Sequence, residues 1–185
     1  MIVIDIGCAR YGNDYSIERL VEEFEPRVIY GFDPNVSDDL LGFHTWLIGG
    51  QPDRKVEVEV QRSAAWLYDG EIGFVSAGLT SWLTEMPEKP RTPCFDLVRF
   101  IRDLPSDEEM VLKMDAEKSE YELLERLIKT RTDELLKLIW VEWHCVSCGR
   151  GAGGHRPECL DPVDRHPRRQ WIEENISCEL AEWCW

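Results

Sequence analysis

Basic residues are scarce in this chain. Lysine and arginine total 21 against 36 aspartates and glutamates, a formal net charge of −15. Binding to a phosphate backbone relies on clustered Lys and Arg, so the composition argues against a nucleic-acid partner. It argues equally against an anionic membrane surface. The acidic excess reads as a solvated, self-repelling surface. Long apolar runs are missing too, and none approaches the roughly 20 residues of a membrane span. There is no Gly-x-x-x-x-Gly-Lys-Ser/Thr sequence, so the usual phosphate loop is absent. Internal repeats and low-complexity tracts are absent. The first apolar run begins at Met1 and leaves no room for a signal peptide. The expectation is therefore a cytoplasmic protein whose seven cysteines are reduced.

What is present fits one domain over residues 1–185, long enough for a sizeable core. Eight tryptophans need a core or a ligand groove. Ile2 to Ile6 is apolar and largely β-branched, with Gly7 just beyond, which predicts a buried parallel strand. Asn13 or Asp14 is a plausible N-cap. Ile17, Leu20, Val21 and Phe24 then fall at helical spacing until Pro26. Val28 to Phe32 predicts the second strand, closed by Asp33-Pro34-Asn35. Asp38 to Leu47 is assigned as a helix, and residues 49–53 as a loop. Val56 to Val60 alternates strictly, as a strand with one wet face does. Ala64-Ala65-Trp66 follows. Asp69-Gly70 signals a hairpin with Ile72 to Val75 as the return strand. Gly78 to Pro93 reads as a loop. Phe95 to Leu104 predicts a helix, Met110 to Met114 a strand, Ala116 to Lys129 a helix and Leu138 to His144 a strand. Residues 145–167 read as a long irregular loop. A helix over 168–175 and a last strand after Ile176 complete the chain, with a helix as the alternative for that last stretch.

Strands alternating with helices predict an α/β protein with a doubly wound, mostly parallel sheet flanked by helices. Ligands bind such sheets beyond the carboxyl ends of the strands. The residues there are Gly7, Asp33, 63–66, Asp115 to Glu117 and Glu142 to His144. A carboxylate at Asp33 is placed to accept both hydroxyls of a ribose. Gly7 is followed by Gly12, which is not the Gly-x-Gly-x-x-Gly spacing that a pyrophosphate needs. An adenosine cofactor without a pyrophosphate fits better. Asp115 and Glu117 suit a divalent cation through oxygen ligands, or merely favour the N-terminus of the next helix.

Five stretches carry a resemblance. They are 3–7 (Val-Ile-Asp-Ile-Gly), 31–35 (Gly-Phe-Asp-Pro-Asn), 64–66 (Ala-Ala-Trp), 111–124 (Val-Leu-Lys-Met-Asp-Ala-Glu-Lys-Ser-Glu-Tyr-Glu-Leu-Leu) and 140–144 (Trp-Val-Glu-Trp-His). In this order they resemble the successive motifs of the FkbM-type methyltransferases. Those are class I, Rossmann-like enzymes that use S-adenosylmethionine, typically to methylate hydroxyl groups. The resemblance implies a small-molecule, sugar or lipid-like acceptor. It places Asp5, Gly7 and Cys8 under the methionine part of the cofactor and Asp33 on the ribose. It places Ala65 and Trp66 near the adenine, and Asp115 and Glu117 toward the methyl group. It puts Glu142 and His144 on the substrate side. The chain departs from the family's pattern in two loops. Cys8 to Tyr11 lengthen the first turn, and Lys118 stands where a glycine is expected.

Methyl transfer asks mainly for alignment, because the sulfonium is already a strong electrophile. An alcohol acceptor benefits from a general base, and His144 has the most suitable intrinsic pKa, with Asp115 or Glu117 as alternatives. A separate constellation is Cys145, Cys148, His155 and Cys159. Three thiols and an imidazole form a tetrahedral zinc set, and the glycines between 149 and 154 would let a loop wrap the ion. Two rival readings follow: a non-catalytic, zinc-stapled interaction module, or a nicotinamide oxidoreductase. The second suits the glycine spacing poorly. Neither the acceptor nor the oligomeric state is written in the sequence.

Overall fold

The first strand sets the plane of the molecule. In the computed structural model, which describes residues 1–8, 16–48, 53–77, 80–144 and 166–182, β1 (Ile2–Ile6) is buried along its whole length. Strand residues point alternately to the two faces of a sheet. Ile2, Ile4 and Ile6 therefore enter one core and Val3 the other. A strand buried on both faces has to read as a continuous apolar run, and this one does so except at Asp5.

Helix α1 (Ser16–Phe24) packs Ile17, Leu20 and Val21 against the Val3 side. Burying each of these is worth roughly 1.5–3 kcal/mol. After β2 (Val28–Phe32) come β3 (Gly42–Leu47) and β4 (Lys55–Gln61). Farther on, α2 (Leu97–Asp103), β9 (Met110–Met114), α3 (Glu120–Lys129), β10 (Leu138–Val141), α4 (Pro167–Asn175) and β11 (Glu179–Glu182) build the opposite side. Leu97, Val98 and Ile101 of α2, Tyr121, Leu124 and Leu127 of α3, and Ile172 of α4 meet Ile2, Ile4 and Ile6. The main sheet has seven strands in the order β11-β10-β9-β1-β2-β4-β3. Every pairing is parallel except β3 with β4. The protein is thus α/β with a mixed sheet and, among the described residues, four α-helices.

A second sheet interrupts the chain between β4 and α2. It consists of β5 (Ala64–Trp66), β6 (Gly70–Ala77), β7 (Thr80–Thr84) and β8 (Arg91–Asp96), in the order β5-β8-β6-β7. Trp66, Ala64, Ile72 and Cys94 form its small core.

Four sequence assignments change. Residues 42–47 form strand β3 and not a helix. Gly42 has φ +99°, outside the helical range, and β4 offers an antiparallel partner. Residues 78–93 are no simple loop, because β7 and β8 begin within them. The Asp69-Gly70 turn does not fold Ile72 to Val75 back onto Ala64 to Trp66; β8 lies between β5 and β6. The Asp69 carboxylate is instead tied to Asp96 N–H (3.1 Å) and Arg99 (2.6 Å), at the start of α2. Finally, α3 begins at Glu120 and not Ala116, because Glu117 and Lys118 adopt φ +47° and +86°. The last stretch is a strand, with Leu138 to Val141 paired in parallel to Glu179 to Glu182.

Candidate functional site

Two charged residues lie inside the sheet, and their register explains them. Asp5 of β1 stands level with Lys113 of β9 on one side and Gly31 of β2 on the other. Both charged side chains are fully buried. Lys113 Nζ lies 3.1 Å from Asp5 Oδ1 and donates to the carbonyls of Ile6 (3.2 Å) and Gly7 (2.8 Å). Ser16 at the start of α1 donates to Asp5 Oδ2 at 2.5 Å. Burial pushes the lysine pKa down, but the Asp5 and Asp115 charges outweigh it and hold the ammonium above its usual range. Gly31 leaves the space that Cys8 fills; a Cβ there would sit 3.1 Å from Cys8 Sγ. Burial, with Asp5 and Asp33 nearby, raises the Cys8 thiol well above its usual pKa.

Asp5 and Cys8 are thus interior. Gly7 has φ +78°, and a Cβ there would lie 2.1 Å from the Asp115 carbonyl oxygen. The neighbour that demands glycine is the turn after β9. Asp33, half-buried, accepts from Asn35 N–H at 2.6 Å and closes its own turn at the end of β2. Asn35 Nδ2 donates to Ser81 Oγ (2.9 Å), which joins β7 to that turn. Ala65 and Trp66 are both buried, Ala65 in the main core and Trp66 in the core of the second sheet.

On the other side of β1, the strand ends converge. Asp115 and Glu117 follow β9, and Glu142 and His144 follow β10. His144 is buried. Its Nε2 lies 3.5 Å from Glu117 Oε2, 3.7 Å from Asp115 Oδ1 and 3.9 Å from Glu142 Oε1. Its Nδ1 lies 2.7 Å from Glu120 Oε1, inside hydrogen-bond range. The same Glu120 oxygen accepts Ala116 N–H at 3.1 Å. Glu120 is wholly buried as the first residue of α3.

The electrostatics follow from this crowding. Burial alone would lower the pKa of His144, but Glu120, Asp115 and Glu117 oppose it and raise it to about 10. Burial raises Glu117 to about 7; the His144 charge pulls it down, while Asp115, Glu120 and Glu142 push it up. Among the described residues, Asp115, Glu117 and His144 each offer one ligand atom, all within 4.8 Å of one another.

The sequence-predicted residues thus divide into four groups. Asp5, Cys8, Ala65 and Trp66, expected to line the cofactor, are buried in the interior. Asp115, Glu117, Glu142 and His144 come together. Gly7 and Asp33 stand at the ends of the adjoining strands β1 and β2. Cys145, Cys148, His155 and Cys159 lie outside the described residues. Sequence reasoning missed Glu120 and Lys113. Glu120 looked like an ordinary first-turn acid of a helix. Lys113 had a signal, since a lysine within an apolar parallel strand needs a buried counter-charge, and Asp5 is the acid in the other such strand. Two concavities lie elsewhere. One of about 250 Å³ sits between α4 and β11 and is lined by Trp143, Arg169 and Leu180. The other, about 350 Å³, runs over Tyr30, Phe43 and Glu59.

No family model, curated protein or solved structure matches this chain.

Proposed function

We propose that the protein is an S-adenosylmethionine-dependent methyltransferase with a Rossmann-like, doubly wound class I fold, acting on a hydroxyl of a small acceptor. One observation carries the reading. Gly7, Asp33, Asp115, Glu117, Glu142 and His144 all stand just past the carboxyl ends of the four adjacent strands β2, β1, β9 and β10. The chain leaves β1 for β2 on one side, and β9 occupies the other, so the strand order switches at β1. That is where such sheets take ligands. The half-buried carboxylate of Asp33 suits the ribose hydroxyls. When bound, the cofactor would supply a methyl group on a sulfonium, open to attack by the acceptor oxygen with the neutral thioether as leaving group.

The chain's own task is then to align the acceptor oxygen and remove its proton. Intrinsic pKa favoured His144 for this. Held near 10, it stays protonated at neutral pH and serves better as a positive counter-charge. Glu117, raised to about 7, is the group poised to accept a proton there. Specificity belongs to the second sheet, whose strand β7 reaches the end of β2 through Ser81 and the β9 turn through Trp82.

Calorimetry with S-adenosylmethionine tests the reading. Binding that weakens at least ~10-fold in Asp33→Ala is expected, corresponding to about 1.4 kcal/mol. Absence of binding, or equal binding by the variant, overturns it. Zinc in the purified protein without any cofactor binding would favour the interaction-module reading on Cys145, Cys148, His155 and Cys159.

A further inference from the structure

We propose that Asp115, Glu117 and His144 bind one divalent first-row cation, with Glu120 as the positioning residue behind the imidazole. The ligand spacing is the first reason. His144 Nε2 stands 3.5 and 3.7 Å from the two carboxylate oxygens, longer than a made hydrogen bond. Ligands about 2.1 Å from a shared ion are separated by roughly 3.0 Å in an octahedral set and 3.4 Å in a tetrahedral one. The side chains are already close to the spacing an ion would impose.

The second reason is what holds the histidine. Metal-ligating imidazoles commonly give their other ring nitrogen to a carboxylate, which sets the tautomer and the ring orientation. Here Glu120 is wholly buried, 2.7 Å from Nδ1, and is itself fixed by Ala116 N–H. This leaves Nε2 directed at the acids, where a bound ion would take the place of the Nε2 proton. The second Glu120 oxygen is buried without a hydrogen-bond partner among the described residues, so the carboxylate is committed to this pocket at a cost.

Charge is the third reason. Glu142 adds a fourth carboxylate, 3.9 Å from Nε2. Lys113 lies 3.7 Å from Asp115 but is shared with Asp5 and two carbonyls. Among the described residues, the carboxylates of Asp115, Glu117 and Glu120 crowd one imidazole, an arrangement that a bound cation would stabilise. The ion has a way in, because Asp115, Glu117 and Glu142 remain 19, 26 and 21 % exposed.

A set of one imidazole and two carboxylates favours manganese, iron(II) or zinc over calcium, whose ligands are all oxygens. Manganese is the discriminating probe, since cysteine thiolates such as those at 145, 148 and 159 select softer ions. The site stands on geometry and needs no methyltransferase activity. A further consequence does rest on the function proposed above: a bound ion with open positions would take the acceptor oxygen and lower its pKa, relieving Glu117 of the base role.

The test is a manganese titration of the full chain, stripped of metal, followed by electron paramagnetic resonance. One ion per chain is expected. Glu117→Gln should weaken binding at least ~10-fold, and Glu120→Gln by about 10–100-fold, with the second variant touching no ion directly. Glu108→Gln, at the opposite, amino end of the strands, should bind as the parent does. Circular dichroism and thermal melts establish that each variant is folded. No binding up to millimolar manganese overturns the proposal. So does an ion whose affinity is unchanged in both folded variants, since it then sits elsewhere. Failure to bind S-adenosylmethionine would leave this site standing.

Discussion

Gly7, at the end of β1, and Lys118, in the turn after β9, obey opposite rules. Both have positive φ, +78° and +86°. At Gly7 a side chain meets the Asp115 carbonyl. Gly7→Ala should therefore lose about 2–4 kcal/mol in chemical denaturation, from strain and forced movement of the β9 turn. Lys118 already bears such strain, and its ammonium 5.2 Å from the Trp82 ring centroid offsets part of it. Lys118→Gly should be neutral or stabilising by up to ~1 kcal/mol in the same assay. A clear loss of stability would show that the cation–π contact outweighs the strain. Lys113→Met should be far costlier, about 3–5 kcal/mol, because it leaves Asp5 buried without its cation. Thiol chemistry is another reading at this scale. Cys178 is raised to about 11 by burial and by Asp133, and burial raises Cys8 and Cys94. The thiolate is the reactive form, so Cys178 alkylation at about pH 8 should be slow and rise tenfold per pH unit until about 11. Mass spectrometry of the iodoacetamide-treated folded protein reads this out, and rapid labelling of all three at pH 8 would contradict it.

The elements that were legible in the chain are those whose signal is local. β1, β2, β4, α1, α2 and β9 sit close to where apolar spacing and stop residues put them, and α4 begins one residue before its expected start at Arg168. Helix α2 has a local cap as well, since Asp96 accepts Arg99 N–H at 3.1 Å. Asp96→Ala should cost about 1 kcal/mol, visible as a lower melting temperature. The misread elements depend on strand partners or backbone angles that no local pattern announces. β3 has its edge position because β4 offers hydrogen bonds, although residues 38–47 carry no strong pattern of their own. β5 pairs with β8, some thirty residues away, and no local rule joins them. The start of α3 moved because the β9 turn adopts two left-handed residues before the helix begins.

At the scale of the whole molecule, charge dominates. Ion pairs such as Arg27 with Glu108 and Arg168 with Glu122 and Glu125 decorate a surface that is nonetheless strongly acidic. Screening that self-repulsion should stabilise the fold. Raising NaCl from ~20 mM to ~0.3 M is expected to raise the melting temperature by a few degrees. A fall would mean that the ion pairs outweigh the net repulsion. The same excess shapes the site, where acids from β9, α3 and β10 gather around one histidine.

The sequence by itself determined the α/β class, the main strands and helices, and which acids end them. Those properties depend on neighbours three or four positions apart, so they can be read from a linear string. It also carried Asp115, Glu117, Glu142 and His144 as candidates, because polar residues closing apolar strands are visible locally. Only the tertiary structure decided that Asp5 turns inward to Lys113, that Glu120 rather than solvent holds His144, and that the surrounding acids raise the histidine's pKa. Those outcomes depend on strand register and burial, which bring together residues more than a hundred positions apart.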